Sequence, residues 1–245
     1  MTDQRFVATP AWHVALPGAV AGALVMRGLT NPERHDAIDA ARTKTEATLR
    51  ERFADRNRAG IRATPPLPAY DAYYRRFSQT YHVLLQLESV VLKGKSLPRR
   101  PPLVEAMFLT ELDSLILTAG HDLTTLHMPV VVDVAAPDEH YHGIGGKEQA
   151  CKPGDFLMRG GGGIICSVIQ GPDDRTKITA ATREAFFAVY APPGIGADPV
   201  RHHLESLAAN ARLFAPDAEV VDLITITADA GQPATISRAA MSRRY

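Results

Sequence analysis

Apolar residues recur along the chain at two spacings, and the switches between them mark out its elements. The first 30 residues read as extended, with HVALPG and AVAGALVMRGL as apolar strand segments broken by Pro17 and Gly18. Residues 31–57, NPERHDAIDAARTKTEATLRERFADRN, then predict one long helix. Asn31 suits its N-cap, Pro32 the first helical position and Glu33 the positive end of the helix dipole. Few of its positions are apolar, so most of its surface faces water. The proline cluster in RAGIRATPPLPAY excludes a helix there and marks a connector.

Helical spacing returns in TYHVLLQLESVVLKGK, where Val83, Leu84, Leu87, Val90 and Val91 share a face that Gly94 ends. Beyond SLPRRPP, the residues Val104, Met107, Phe108, Leu112, Leu115 and Ile116 fall at i, i+3, i+4, i+8, i+11 and i+12. They predict a second core helix that stops near Gly120. Strand signals follow in MPVVVDVA, EHYHGI, DFLM, GGIICSVIQ, TKITAAT and FFAVYAP, separated by Pro, Gly and Asp, and read as an antiparallel sheet. A last helix, DPVRHHLESLAANARLF, carries Val200, Leu204, Leu207, Ala208 and Ala211 on one stripe. The strand EVVDLITIT comes next, and residues 231–245 read as a polar, loose tail. This order predicts an α+β fold: a mainly antiparallel or mixed sheet with several packed helices, forming a single unit over residues 1–245.

Composition narrows the classes. A chain of 245 residues buries a large core without disulfides or metals. Lys plus Arg number 27 and Asp plus Glu 27, so any nucleic-acid binding must come from a local patch. Cys151 and Cys166 form no CxxC pair and are too few for a disulfide scaffold, which predicts a reducing, cytoplasmic location. No targeting segment opens the chain, and no apolar stretch reaches the roughly 18 residues of a membrane span, so no membrane partner is expected.

Candidate chemistry begins with MRGGGGIICSVIQGPDDRT, residues 158–176. A phosphate loop needs strand, glycine loop and then helix, because the phosphate sits on the helix N-terminus. Here the glycines lead into a strand and no GK[ST] follows, so the stretch reads as a hairpin whose glycines permit close approach. DEHYH places His140, His142 and Asp138 at one strand parity, half of a metal site with no identifiable third ligand. No GxSxG elbow is present, so Ser167 reads as a strand serine, and Cys166 in its apolar run as a packing residue. Arg50, Arg52, Arg56, Arg58 and Arg62 gather late in the long helix and after it, and YDAYYRRF joins aromatics to Arg75 and Arg76. Such groups hold phosphates or stack on bases, or else form a solvated helix face.

Taken together, YYRRFSQTYHVLLQLESVVLKGKSLP, PLVEAMFLTELDSLILTAGHDLTTLHMPVVVDVA, CKPGDF and GGIICSVIQGPDDRTKIT with FFAVYAPPGI resemble a known domain. It is the tRNA-binding and editing domain of the phenylalanyl-tRNA synthetase beta subunit, its third and fourth modules. The resemblance covers about residues 70–195, with 1–69 and 196–230 as looser flanks. By position, Thr110 and His121 match residues lining the family's editing pocket, and Glu111 stands where the family has asparagine. Gly171 matches the close-approach glycine of its glycine-rich turn. The family's acidic residue that holds an aromatic amino acid should fall near Ala188 to Tyr190, where none is acidic.

The resemblance implies a freestanding domain that binds aminoacyl-tRNA and hydrolyses mischarged species in trans, with no DNA partner, no cofactor and no metal. His121 and Thr110 are then the catalytic candidates. Glu111, Ser167, Gly171, Asp173, Arg175, Thr176 and Thr179 are the substrate-binding candidates, and Arg58, Arg62, Arg75 and Arg76 the RNA-binding ones. An activated ester yields to a positioned water without a full triad. Two alternatives stay open: a module of the same fold that binds RNA or an amino-acid-like ligand without catalysis, and a metal-dependent hydrolase built on DEHYH.

Overall fold

The structure is a computed structural model that describes residues 5–229 and, for the backbone, 235–238. Two five-stranded sheets and one hairpin carry its strands. The central sheet has the order β12 (Thr235–Arg238), β11 (Glu219–Thr227), β2 (Val20–Arg27), β10 (Ala185–Ala191) and β3 (Thr118–Asp122), antiparallel throughout. In the second sheet, β1 (Phe6–Ala8) runs parallel to β4 (Val130–Val134). Beyond β4, antiparallel pairing continues through β7 (Phe156–Gly160), β8 (Gly163–Ser167) and β9 (Gly171–Pro172). The hairpin joins β5 (His140–His142) to β6 (Glu148–Ala150). With its helices this is the α+β architecture that the order of elements predicts.

The side-chain alternation of the central strands sorts the layers. Val20, Leu24 and Met26 of β2, with Phe187 and Val189 of β10, join a core with α6 (Pro102–Ser114) and α7 (Ala197–Arg212). A Cβ on Gly22 would stand 2.7 Å from Val200 Cγ1, so the glycine is what lets α7 lie on β2. Ala21, Ala23, Phe186, Ala188 and Tyr190 point the other way, into a core with Phe6, Val130, Phe156 and Met158 of the second sheet. Tyr70, Tyr73 and Tyr74 of α4 (Leu67–Arg75) and Val83, Leu84 and Leu87 of α5 (His82–Val91) close that core.

Several expected elements differ. HVALPG is no strand: Pro10–Ala15 form helix α1, whose N-cap Thr9 accepts from Trp12 N. The long helix shortens to α2 (Asp36–Arg52) with His35 as its cap. Asn31 caps nothing locally, because its amide donates to Thr179 O and its carbonyl accepts from Leu103 N, 2.9 and 3.0 Å away. The proline-rich connector contains α3 (Arg58–Arg62) and α4, with a proline in the first turn of α4 where no amide is missed. Helix α6 stops at Ser114, since Leu115 takes a left-handed conformation, and Gly120 and His121 therefore lie within β3. TKITAAT gives one bridge, His121 to Lys177, and no strand. Of the tail, residues 231–234 and 239–245 lie outside the described residues.

Candidate functional site

β3 is an edge strand, and a cavity of about 480 Å³ opens along it. Val104, Met107, Phe108 and Glu111 of α6 form one wall, and the segment from Cys166 to Pro172 faces them. Ile144 on the β5–β6 turn and Ile178 narrow the space, while Arg100, Lys177 and His82 supply its basic groups. The volume lies in the range of small-molecule sites, and the walls are mostly apolar. One apolar residue, Ile144, is 60% exposed at the tip of its turn. Gly145 N beside it donates to Asp174 Oδ1 at 2.9 Å, which ties the turn to the segment after β9.

Glu111 is the carboxyl of this cavity and is 2% exposed. The left-handed Leu115 reverses the chain after α6, so that Thr118 N returns to donate to Glu111 Oε1 at 2.7 Å. Burial pushes its pKa up to about 8, against smaller opposing effects from the Thr118 amide and the Arg100 charge. Arg100 makes no ion pair among the described residues; its guanidinium lies 4.1 Å over the Phe108 ring. Lys177 is paired with Asp174 at 2.8 Å. The buried hydroxyl of Tyr190 also borders the cavity, with the Cys166 thiol as its polar neighbour.

Thr110 and His121 do not face this cavity. Thr110 Oγ1 donates to Ala106 O and accepts from Asn210 Nδ2, which turns it toward α7. His121 is fully buried against Phe186 between the sheets, 2.7 Å from Thr176 Oγ1 through Nδ1. Thr176 Oγ1 donates in turn to Asp173 Oδ1, so Nδ1 carries the His121 proton, and Nε2 is left with no partner. Burial lowers the His121 pKa to about 3 and keeps the ring neutral. Asp173, Thr176 and His121 thus form one chain, but inside the protein.

The other candidates divide between wall and scaffold. Ser167 and Gly171 line the cavity, yet Ser167 Oγ donates to Asp155 Oδ2 at 2.6 Å and accepts from Gln170 N. Gly171, with φ of +86°, needs the conformation glycine favours, and its carbonyl accepts from Tyr141 OH. Arg175 reaches the opposite end of the hairpin, where its guanidinium donates to the carbonyls of Gly162 and Ile164. Cβ atoms on Gly160 and Gly161 would crowd His127, and one on Gly162 would collide with Arg175. Neighbouring chain, not a ligand, is what approaches the glycine run. Thr179 is exposed and tied to Thr182 and Asn31.

The four arginines are engaged outside the cavity. Arg58 pairs with Glu88 at 2.8 Å, Arg62 and Arg75 share Asp71, and Arg76 lies over Tyr73 and Phe77. Tyr70, Tyr73 and Tyr74 are buried, so the tyrosines of YDAYYRRF are core and offer no stacking surface for bases, while Phe77 is half-buried. His140 and His142 are exposed on β5, and among the described residues no group of three or more His, Cys, Asp or Glu is placed to hold a metal.

Arg100, Lys177, Ile144 and Tyr190 escape a reading by motif. Only the fold brings them to Glu111 from four separate segments. The Tyr190 side chain occupies the stretch in which an acidic residue was expected, and supplies a hydroxyl there.

No protein-family model matches the chain, and no curated protein matches it. Among solved structures it is similar to an N-terminal fragment of the phenylalanyl-tRNA synthetase beta subunit from Pyrococcus horikoshii, at 11% identity and a TM-score of 0.47. The match covers 90% of this chain and 51% of that one, so the chain spans about half the length of that fragment.

Proposed function

We propose that the cavity beside Glu111 receives the amino-acid end of its ligand, with the ammonium group on the Glu111 carboxylate and an apolar side chain against Met107, Phe108 and Ile178. The observation that carries this reading is one carboxyl, 2% exposed, in an otherwise mainly apolar cavity. A buried carboxyl without a cation beside it costs stability, and a ligand cation offsets that cost. The aminoacyl end of a tRNA presents such a cation, and the motif resemblance over residues 70–195 supports that source. The exposed Arg58, Arg75 and Arg76 are the residues we assign to the RNA backbone.

A second reading, hydrolysis of the aminoacyl ester, is favoured by the pKa of about 8 at Glu111. In this reading Glu111 faces the attacking water in place of the ammonium group, which would lower its pKa, and a carboxyl in that range both takes and returns a proton near neutral pH. Water activated by Glu111 would attack the ester carbonyl; the tetrahedral intermediate would then expel the ribose oxygen, which takes the proton back. Ser167 and Cys166 do not compete as nucleophiles. Ser167 is bound to Asp155, and burial pushes the Cys166 thiol well above its usual range.

The test is a panel of mischarged aminoacyl-tRNAs with the matching free amino acids. Wild type should bind at least one amino acid and release it from its tRNA, and Glu111→Gln should lose both. Arg75→Gln should weaken the tRNA and spare the free amino acid. Binding without release leaves a recognition module; absence of both refutes the reading.

A further inference from the structure

A second cavity, of about 240 Å³, lies against the first, between α5 and α6 and under the 95–98 strap. The two share Arg100 and Phe108, so their stacked pair is the partition. Alone, the smaller space falls below the usual range for a ligand site. Beside the larger one it extends it.

Charge decides what would enter. Lys95 and Arg100 both border the smaller cavity, and neither has a carboxylate partner among the described residues. The one acid there, Glu105, is already neutralised. It is buried, bonded to Arg42 at 2.7 Å, and its second oxygen accepts from Arg100 N. Gln86, Ser89 and Ser96 add neutral polar groups. Two uncompensated cations over an apolar floor of Val90 and Leu97 suit an oxyanion joined to an organic body.

We infer that the smaller cavity is an oxyanion-binding annex of the main one, taking a phosphate or carboxylate of the same molecule whose ammonium group meets Glu111. This rests on the proposed function, and it narrows the ligand to one with a cationic and an anionic head. Arg100 stands between the heads. Its charge acts on Glu111, but the two form no ion pair.

The experiment is calorimetric titration of the full chain with four sets of compounds sharing one apolar side chain: amino-acid amides, amino acids, 1-aminophosphonates, and dipeptides carrying the carboxylate one residue farther out. At least one anionic set should bind ten- to a hundredfold more tightly than the amides, as a charge-assisted contact implies. The set that gains most identifies the oxyanion and its distance from the ammonium. Arg100→Gln should erase the difference between the anionic sets and the amides. Lys95→Gln, at an exposed position that folding tolerates, should reduce it several-fold. Amides as tight as every anionic set, or an Arg100→Gln loss equal in all four sets, overturns the annex. Amide binding that Glu111→Gln abolishes would in that case still support the amino-acid site. If no set binds wild type, both inferences fall.

Discussion

Replacing Glu111 by Gln converts the proposed recognition group into a stability measurement. The carboxyl carries a pKa of about 8 in the folded chain against an ordinary value of 4.5. Between those values the folded state holds a proton that the unfolded state has lost. Stability from this group is therefore fully present below about pH 4.5 and falls as pH rises through 8. The slope is roughly 1.4 kcal/mol per pH unit and accumulates to several kcal/mol by pH 8. Gln keeps the acceptor for Thr118 N but has no proton to lose. Urea unfolding at pH 5 to 9 should find wild type and variant close at pH 5, with the variant gaining roughly 1.4 kcal/mol per unit to about pH 8 and nothing beyond. Other titrating groups are common to both chains and cancel in the difference. Parallel stability curves would refute the buried, uncompensated carboxyl, and the proposed site with it. A saturating ammonium ligand should flatten the wild-type curve, because it favours the ionised form in the folded state alone.

Three further outcomes test the same structure. His121 and His203 have pKa values lowered to about 3 by burial, so each loses stability as pH falls from its unfolded value toward 3, at roughly 1.4 kcal/mol per unit; His121→Gln should shallow the acid limb of the unfolding curve, and an unchanged limb would refute its burial. Tyr190→Phe removes a buried hydroxyl whose only polar neighbour is the weakly bonding Cys166 thiol and should change stability by no more than about 1 kcal/mol; a larger loss in thermal unfolding would show a stronger bond at that hydroxyl. Cys151 and Cys166 are buried, with the Cys151 thiol pushed up to about 11 and that of Cys166 higher. A thiol reagent at pH 8 should label neither until urea unfolds the chain, and rapid labelling of the native protein would contradict their burial.

One-sided apolar stripes made α5 and α7 legible, since Val200, Leu204, Leu207 and Ala211 have only one way to be buried. Helix α6 carried the same signal past its end. Leu115 and Ile116 are buried as the stripe implies, but from the turn into β3, and nothing in an apolar run announces the left-handed residue that ends the helix. Helices α1 and α4 did leave a local signal, Thr9 before Pro10 and a proline in the first turn of α4. Asn31 and Pro32 gave that signal too, and there long-range bonds to Leu103 and Thr179 took the cap away. In the site, Glu111 stood out because it interrupts a motif. Arg100 and Ile144 sit in unremarkable loops, and only the closing of α6 and the β5–β6 turn around the β3 edge makes them neighbours of Glu111.

The polar residues that look most like chemistry in the sequence are mostly used to hold the cavity wall in place. Asp155 accepts from Tyr73 OH, Ser167 Oγ and Ile169 N, at 2.5, 2.6 and 3.1 Å. Tyr74 OH donates to Val168 O, and Tyr141 OH to Gly171 O. Asp173 is held by Thr176 and Arg175 just past the wall. The segment from Ser167 to Asp173 is thus anchored at Ser167, Val168, Ile169, Gly171 and Asp173, largely by buried tyrosines and carboxylates. A wall fixed this way keeps its shape when the cavity is empty, which lowers the ordering cost of binding. The same anchoring takes Ser167 and Asp173 out of reach of a ligand. Recognition then falls to the two charged groups of the cavity that have no ion-pair partner among the described residues, Glu111 and Arg100.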